Sequence, residues 1–298
     1  MNEIDWIQSY IAPLVDAPGA DGLRDDVAVL SAPATTIATM DTLVEGVHFL
    51  ATDPIETVGQ KLIRVNVSDI LAKGALPSES LLSIAWPRAR GEAEFKALVQ
   101  GLQRDLRHFK IALIGGDLVS TDGPLTLTIT MTGACVGEGP IRRSGGQPGQ
   151  KLWVSCEIGW GGLGLQAAIS GEDSEAANRY RVPSIVSLKV AGLVAHKAAA
   201  SMDVSDGLFL DAKRLAEASG GGVRLDLDAV PLAKPSTILE DIFKQCCAGD
   251  DYQVLLAAAP GVDVPGFTQI GELTESAGLS LYLQGRRVNA PSTLGFEH

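Results

Sequence analysis

Soft ligands are scarce in this 298-residue chain, which holds four cysteines and four histidines. Cys135, Cys156, Cys246 and Cys247 form no C-x-x-C pair, and the adjacent two are poorly placed for a relaxed disulfide. All four read as reduced core thiols, because no neighbouring feature would depress a thiol pKa enough for a nucleophile. Long apolar runs are also missing. The amino terminus lacks the basic flank and apolar stretch of a secretory signal, and no later segment is long enough to span a bilayer, so the expected compartment is the cytoplasm. Basic residues are outnumbered, 24 Lys and Arg against 36 Asp and Glu, for a net charge of −12. Such a surface repels nucleic acid and anionic membrane, so neither is an expected partner. Two nucleotide devices are absent as well, the G-x-x-x-x-G-K-[ST] loop and the H-R-D catalytic loop.

What the chain has is aspartate at the ends of short apolar runs: Asp25 and Asp26, Asp41, Asp69, Asp117, Asp203 and Asp206. Any one of them is most simply a helix cap or an Asx-turn. Together they suggest convergence, and close carboxylate pairs repel by roughly 4 kcal/mol at moderate effective dielectric. The cheapest common partner is a hard divalent cation, which prefers oxygen ligands and leaves positions for water and phosphate. In Ser201-Met202-Asp203-Val204-Ser205-Asp206-Gly207, Ser205 or Asp206 would also cap the following helix. Arg142-Arg143-Ser144-Gly145-Gly146 is a basic, glycine-rich loop that suits phosphate oxygens or simply solvent. Gly159-Trp160-Gly161-Gly162-Leu163-Gly164 fits G-x-G-x-x-G, but no second strand ending in an acidic residue follows at the required distance, so a tight turn is the better reading.

Strand patterns fall at residues 36–39, 81–85, 111–114, 125–131, 151–155, 223–227, 253–257 and 279–283. Helical spacing predicts helices over 54–72, 92–108, 163–170, 184–200 and 208–219. A Gly/Pro-rich passage from Gly137 to Gly149 separates the halves, giving expected domains 1–137 and 138–298 in an α/β (α+β) chain.

Taken in order, Asp25-Asp26-Val27-Ala28-Val29-Leu30, Met40 through Phe49, Asn66-Val67-Ser68-Asp69, Ile114-Gly115-Gly116-Asp117, Asp203 through Leu208 and Gly249-Asp250-Asp251-Tyr252 resemble the motifs of the thiamine-monophosphate kinase family. That family belongs to the superfamily of aminoimidazole ribonucleotide synthetase and selenophosphate synthetase. The resemblance implies a two-domain PurM-like architecture, a homodimer joined through the N-terminal sheets, and ATP-dependent phosphorylation of thiamine monophosphate with several Mg²⁺ ions. It places Asp26, Thr39, Met40 (through its carbonyl), Asp41, Asp69, Asp117, Asp203 and Asp206 at metal positions. Gly116, Asp117, Arg143 and Ser205 match ATP contacts, His48, Asp250 and Phe296 match substrate contacts, and Phe109 is a weaker candidate for packing on the nucleotide. Asp41, Asp117 and Arg143 would carry the chemistry. Arg24 stands where the family usually has glycine, and Asp250 where it usually has glutamate. Other readings are a different ATP-using member of the superfamily, a noncatalytic Mg²⁺-nucleotide-binding protein, and a metal-dependent phosphohydrolase.

Overall fold

The computed structural model describes residues 6–15 and 35–296. The chain divides into two compact units, one comprising residues up to Ile70 with Leu76–Ala134, the other Leu71–Ala75 with Cys135 onward.

The first unit is a four-stranded sheet in the order β1-β4-β2-β3, with β1 Thr36–Val44, β2 Ala75–Pro87, β3 Ala112–Thr121 and β4 Thr126–Cys135. β1 and β4 run antiparallel, whereas β2 and β3 are parallel. That parallel pair needs a crossover, which α2 Glu92–Phe109 supplies. Phe95, Leu98, Leu102 and Leu106 make the buried stripe of α2, at the spacing that predicts the helix. It packs hard on α1 Ile55–Ala72, since a Cβ at Gly101 would stand 1.8 Å from the Glu56 carbonyl. Trp86 meets Phe95 edge-to-face at 5.0 Å in the same core.

The sheet has two different faces. In β1 burial alternates, so Ile37, Thr39, Asp41 and Leu43 face inward while Thr36, Ala38, Met40 and Thr42 are on the more open side. On β4, Leu127, Ile129 and Met131 are buried and lie in register with Leu43, Asp41 and Thr39. The other face carries exposed apolar side chains, among them Met40 at 63%, Val119 at 45% and Leu81 at 42% exposure.

The second unit holds a seven-stranded sheet in the order β11-β10-β7-β9-β5-β8-β6. Its strands are β5 Lys151–Val154, β6 Ala200–Val204, β7 Gly222–Asp226, β8 Gln253–Ala258, β9 Thr268–Thr274, β10 Gly278–Leu283 and β11 Arg286–Val288. The helices are α3 Trp160–Ile169, α4 Glu175–Arg181, α5 Val190–Lys197, α6 Leu208–Ala218 and α7 Leu239–Cys246. β6 and β8 are buried along their whole length, and α6 adds Leu208, Phe209, Ala212 and Leu215 to the core.

Several expectations need correction. The helix expected over 184–200 is reduced to α5, because residues 184–189 form no helix and Ala200 already begins β6. Only Cys246 is a buried core thiol; Cys156 is exposed, and Cys135 and Cys247 are partly buried. Phe109 is buried, with the Arg64 guanidinium 5.7 Å from its ring centre, and so is packing rather than a nucleotide platform.

Candidate active site

In the first unit the structure brings Thr39, Asp41 and Asp69 together. Thr39 and Asp41 share the inward face of β1, and Asp69 reaches them from the last turn of α1, where its Oδ2 accepts the Thr39 hydroxyl at 2.5 Å. Asp41 Oδ2 is buried and, among the described residues, has no hydrogen-bond partner. Burial first, and the charge of Asp69 second, push the Asp41 carboxyl up to about 7. A buried carboxylate oxygen beside a second carboxylate is a donor set that a hard cation fits. Met40 points its side chain to the opposite, exposed face, which leaves only its backbone for that role.

Asp117 is elsewhere in this unit. It lies on edge strand β3, in register with Ser83 on the uncovered face, while Asp41 lies on the opposite edge strand and the opposite face. Three strand spacings separate the two edges, roughly 14 Å. The expected single cage is therefore not formed by these side chains within the unit. Among the described residues, no three or more His, Cys, Asp or Glu side chains group as a metal site, and Asp25, Asp26 and Arg24 lie outside those residues. Next to Asp117, a Cβ at Gly116 would stand 1.9 Å from the Leu82 carbonyl, so only glycine lets β3 lie this close to β2.

His48 belongs to the turn after β1, bounded by the bridge between Glu45 and Phe49. Its Nδ1 accepts the Val44 amide at 3.0 Å, which leaves the proton on Nε2. Buried Lys61 donates from Nζ to the His48 carbonyl at 3.0 Å and so ties the turn to α1.

In the second unit, residues from four separate stretches meet. The loop after β6 holds Ser205 and Asp206. The Ser205 carbonyl accepts the Asp250 amide at 2.8 Å, and the Asp206 carbonyl accepts the Phe296 amide at 2.8 Å. Asp250 has a left-handed backbone, φ 59°, and its carboxylate accepts the Tyr252 hydroxyl at 2.7 Å. Asp203 is buried on edge strand β6. The Arg142–Gly146 loop is held alongside: the Arg142 carbonyl accepts the Ser201 amide at 2.9 Å, and the Ser219 hydroxyl donates to the Arg143 carbonyl at 2.9 Å. The Arg143 side chain is exposed.

Three residues of this arrangement escape a reading of the sequence. Asp211, four positions into α6, turns back so that its Oδ2 accepts the amides of Ser205, Asp206 and Gly207 at 3.0, 3.0 and 3.2 Å. Contrary to expectation, neither Ser205 nor Asp206 caps α6; Gly207 occupies the N-cap and Asp211 bonds the amides. Burial pushes the Asp211 carboxyl up to about 6, against the lowering effect of the amides. Arg214, one turn further, bonds the Asp206 carboxylate and lies 3.3 Å from Asp211 Oδ1. The spacing Asp206, Asp211, Arg214 was the available signal, since positions 211 and 214 share a helix face. Asp251 is the third. Fully buried, it accepts the Gly159 amide at 2.8 Å and the Gly161 amide at 3.1 Å, and burial pushes its carboxyl up to about 7. The glycine loop thus spends these amides on Asp251 rather than on a pyrophosphate. A cavity of about 470 Å³ opens beside it, lined by Glu157, Trp160, Arg179, Asp250 and Gln253 among others.

Comparison with known proteins defines the class first. Residues 24–135 match the N-terminal domain of AIR synthase related proteins, and residues 147–284 match the C-terminal domain. A thiamine-monophosphate kinase of Caulobacter vibrioides is 39% identical over 325 residues, covering 99% of this chain and 90% of the relative. The crystal structure of thiamine monophosphate kinase from Aquifex aeolicus superposes with a TM-score of 0.76 at 28% identity, covering 86% of this chain and 89% of the other. A structure described as AaThiL complexed with AMPPCP and TMP gives the same TM-score at 27% identity, covering 87% and 86% of the two chains. The chain belongs to the thiamine-monophosphate kinase family.

Proposed function

We propose that this protein transfers the γ-phosphoryl group of ATP directly to the phosphate of thiamine monophosphate, giving thiamine diphosphate. The family supports the reaction, and one complex in it carries AMPPCP and TMP. The observation that supports the reading is the backbone pairing of the Ser205–Asp206 loop with Asp250 and Phe296 in the second unit; in this reading the loop serves the phosphates, and Asp250 and Phe296 form an acidic and aromatic wall. An acidic, aromatic wall suits the cationic thiazolium.

The acceptor is a phosphate oxygen, already ionised near neutral pH, so no side chain has to remove a proton. The work left to the protein is positioning and electrostatics. In this reading Asp26, Thr39, Asp41, Asp69, Asp117, Asp203 and Asp206, with the Met40 carbonyl, hold several Mg²⁺ ions. Bound there, Mg²⁺ supplies the positive charge that lets carboxylates and phosphates share a site and neutralises charge on the transferring group. Gly116, Asp117, Arg143 and Ser205 hold ATP, with Arg143 offering a guanidinium fork to phosphate oxygens. His48, Asp250 and Phe296 orient the thiamine substrate. The protein acts in the cytoplasm as a homodimer, with the uncovered face of the first unit's sheet as the contact: its exposed Met40, Leu81 and Val119 match a sheet-to-sheet interface.

Phosphorus NMR of the protein with ATP, Mg²⁺ and thiamine monophosphate tests the reaction. We expect the thiamine monophosphate signal to be replaced by the two coupled signals of a diphosphate ester, with ADP formed in equal amount. Inorganic phosphate without a new diphosphate ester would indicate a hydrolase, and an unchanged ATP spectrum would indicate a binding protein.

A further inference from the structure

Asp206 differs from Asp41 and Asp69 of the proposed cation set in having a guanidinium held against its carboxylate. Arg214 bonds Asp206 Oδ2 through Nη1, and the same nitrogen lies 3.3 Å from Asp211 Oδ1. Asp211 cannot swing away, because its other oxygen holds three consecutive loop amides and its side chain is 1% exposed. The guanidinium is thus braced from behind by a fixed carboxylate, and the Asp206 carboxylate, 26% exposed, faces it. Arginine stays charged at every relevant pH, so this partner cannot be titrated off. A cation arriving at Asp206 meets like charge and has to displace a charge-assisted bond.

We propose that Arg214 is the resident counter-cation of Asp206 and competes with a divalent cation for that carboxylate. Phosphate oxygens are the natural acceptors of the displaced guanidinium, so uptake of the cation at this loop is coupled to arrival of a nucleotide. The inference rests on the reading that Asp206 holds a cation, and the experiment keeps the two apart. Mn²⁺ binding is measured by calorimetry and by the free-Mn²⁺ EPR signal, without nucleotide, for the full chain and for Arg214→Gln, Arg214→Lys, Asp206→Asn and the Asp206→Asn/Arg214→Gln pair. With solvent screening of a partly exposed pair, we expect Arg214→Gln to tighten Mn²⁺ binding about five- to tenfold. Arg214→Lys should tighten it less. Asp206→Asn should erase the gain in the double variant, and ADP should narrow the difference between wild type and Arg214→Gln. If Arg214→Gln leaves Mn²⁺ affinity unchanged while Asp206→Asn weakens it, the competition is refuted and the cation role of Asp206 stands. If Asp206→Asn changes nothing in either background, Asp206 holds no cation and both ideas fall. Arg214→Lys, which retains the charge, keeps the test decisive if the glutamine variant does not fold.

Discussion

The two units treat their buried carboxylates in opposite ways. In the first, Asp41 Oδ2 has no hydrogen-bond partner among the described residues, and the charge that acts on it is that of another carboxylate. In the second, Asp211 and Asp251 are deeply buried but are saturated by backbone amides, and Asp211 also faces Arg214. A buried polar group without a partner costs stability, and one with several partners contributes it. Asp41 is therefore kept at a cost that a proton or a cation would relieve, whereas Asp211 and Asp251 build the frame on which Ser205, Asp206 and Asp250 stand.

Exchanging these roles by mutation is the sharpest test. Asp41→Asn should lower Mg²⁺-dependent turnover by about 10²- to 10³-fold, the scale of losing one preorganised electrostatic group. In EDTA the same variant should melt no lower than wild type, because the substitution removes repulsion and burial of charge together. Asp211→Ala should do the reverse in kind. Three amides and Arg214 lose their acceptor, so we expect a loss of roughly 3–5 kcal/mol in chemical denaturation. If both variants lost stability alike, the contrast between the units would be wrong.

The pH dependence gives a smaller effect. Burial raises the Asp251 carboxyl in the folded chain to about 7 from its ordinary 3.8, so its contribution to stability is full below about 4 and is lost as pH rises through about 7. Asp211, at about 6, acts in the same direction. Metal-free protein should melt higher at pH 5 than at pH 8, and Asp251→Asn should flatten part of that slope; a tenfold change in proton affinity corresponds to about 1.4 kcal/mol. A melting temperature that rises from pH 5 to pH 8 would contradict the burial argument. Smallest is Arg143→Ala, which removes one exposed fork. It should raise KM for ATP about tenfold and leave KM for thiamine monophosphate nearly unchanged, in line with one charge-assisted bond. Equal rises for both substrates would remove Arg143 from the nucleotide side.

Much of this frame was readable in the chain, for reasons that differ by residue. The buried stripe of α2 and the alternation of β4 announced themselves, because periods of 3.6 and 2 survive in any surroundings. β6 did not: Ser201 and Asp203 interrupt its apolar pattern, and a run of alanines ahead of it imitates a longer helix. For the site, the recurrence of aspartate was legible, but Asp41 and Asp117 lie inside β1 and β3 rather than at their ends, and how the aspartates divide was not legible. Thr39 and Asp69 meet only because α1 lies across β1. The separation of Asp117 from Asp41 depends on strand order, which no local pattern encodes. Asp211, Asp251 and Arg214 were hidden because each serves a loop distant from its own motif or a turn away on a helix, and an aspartate inside a helix usually reads as solvated surface.

The placement of Asp117 and Asp41 on opposite faces and edges of one sheet has a kinetic corollary. If two copies join through the uncovered face, as proposed, Asp117 lies on the joined face and Asp41 on the other. Catalytic power then becomes a property of the pair, and specific activity should fall on dilution below the dissociation constant and return with a lag set by reassociation.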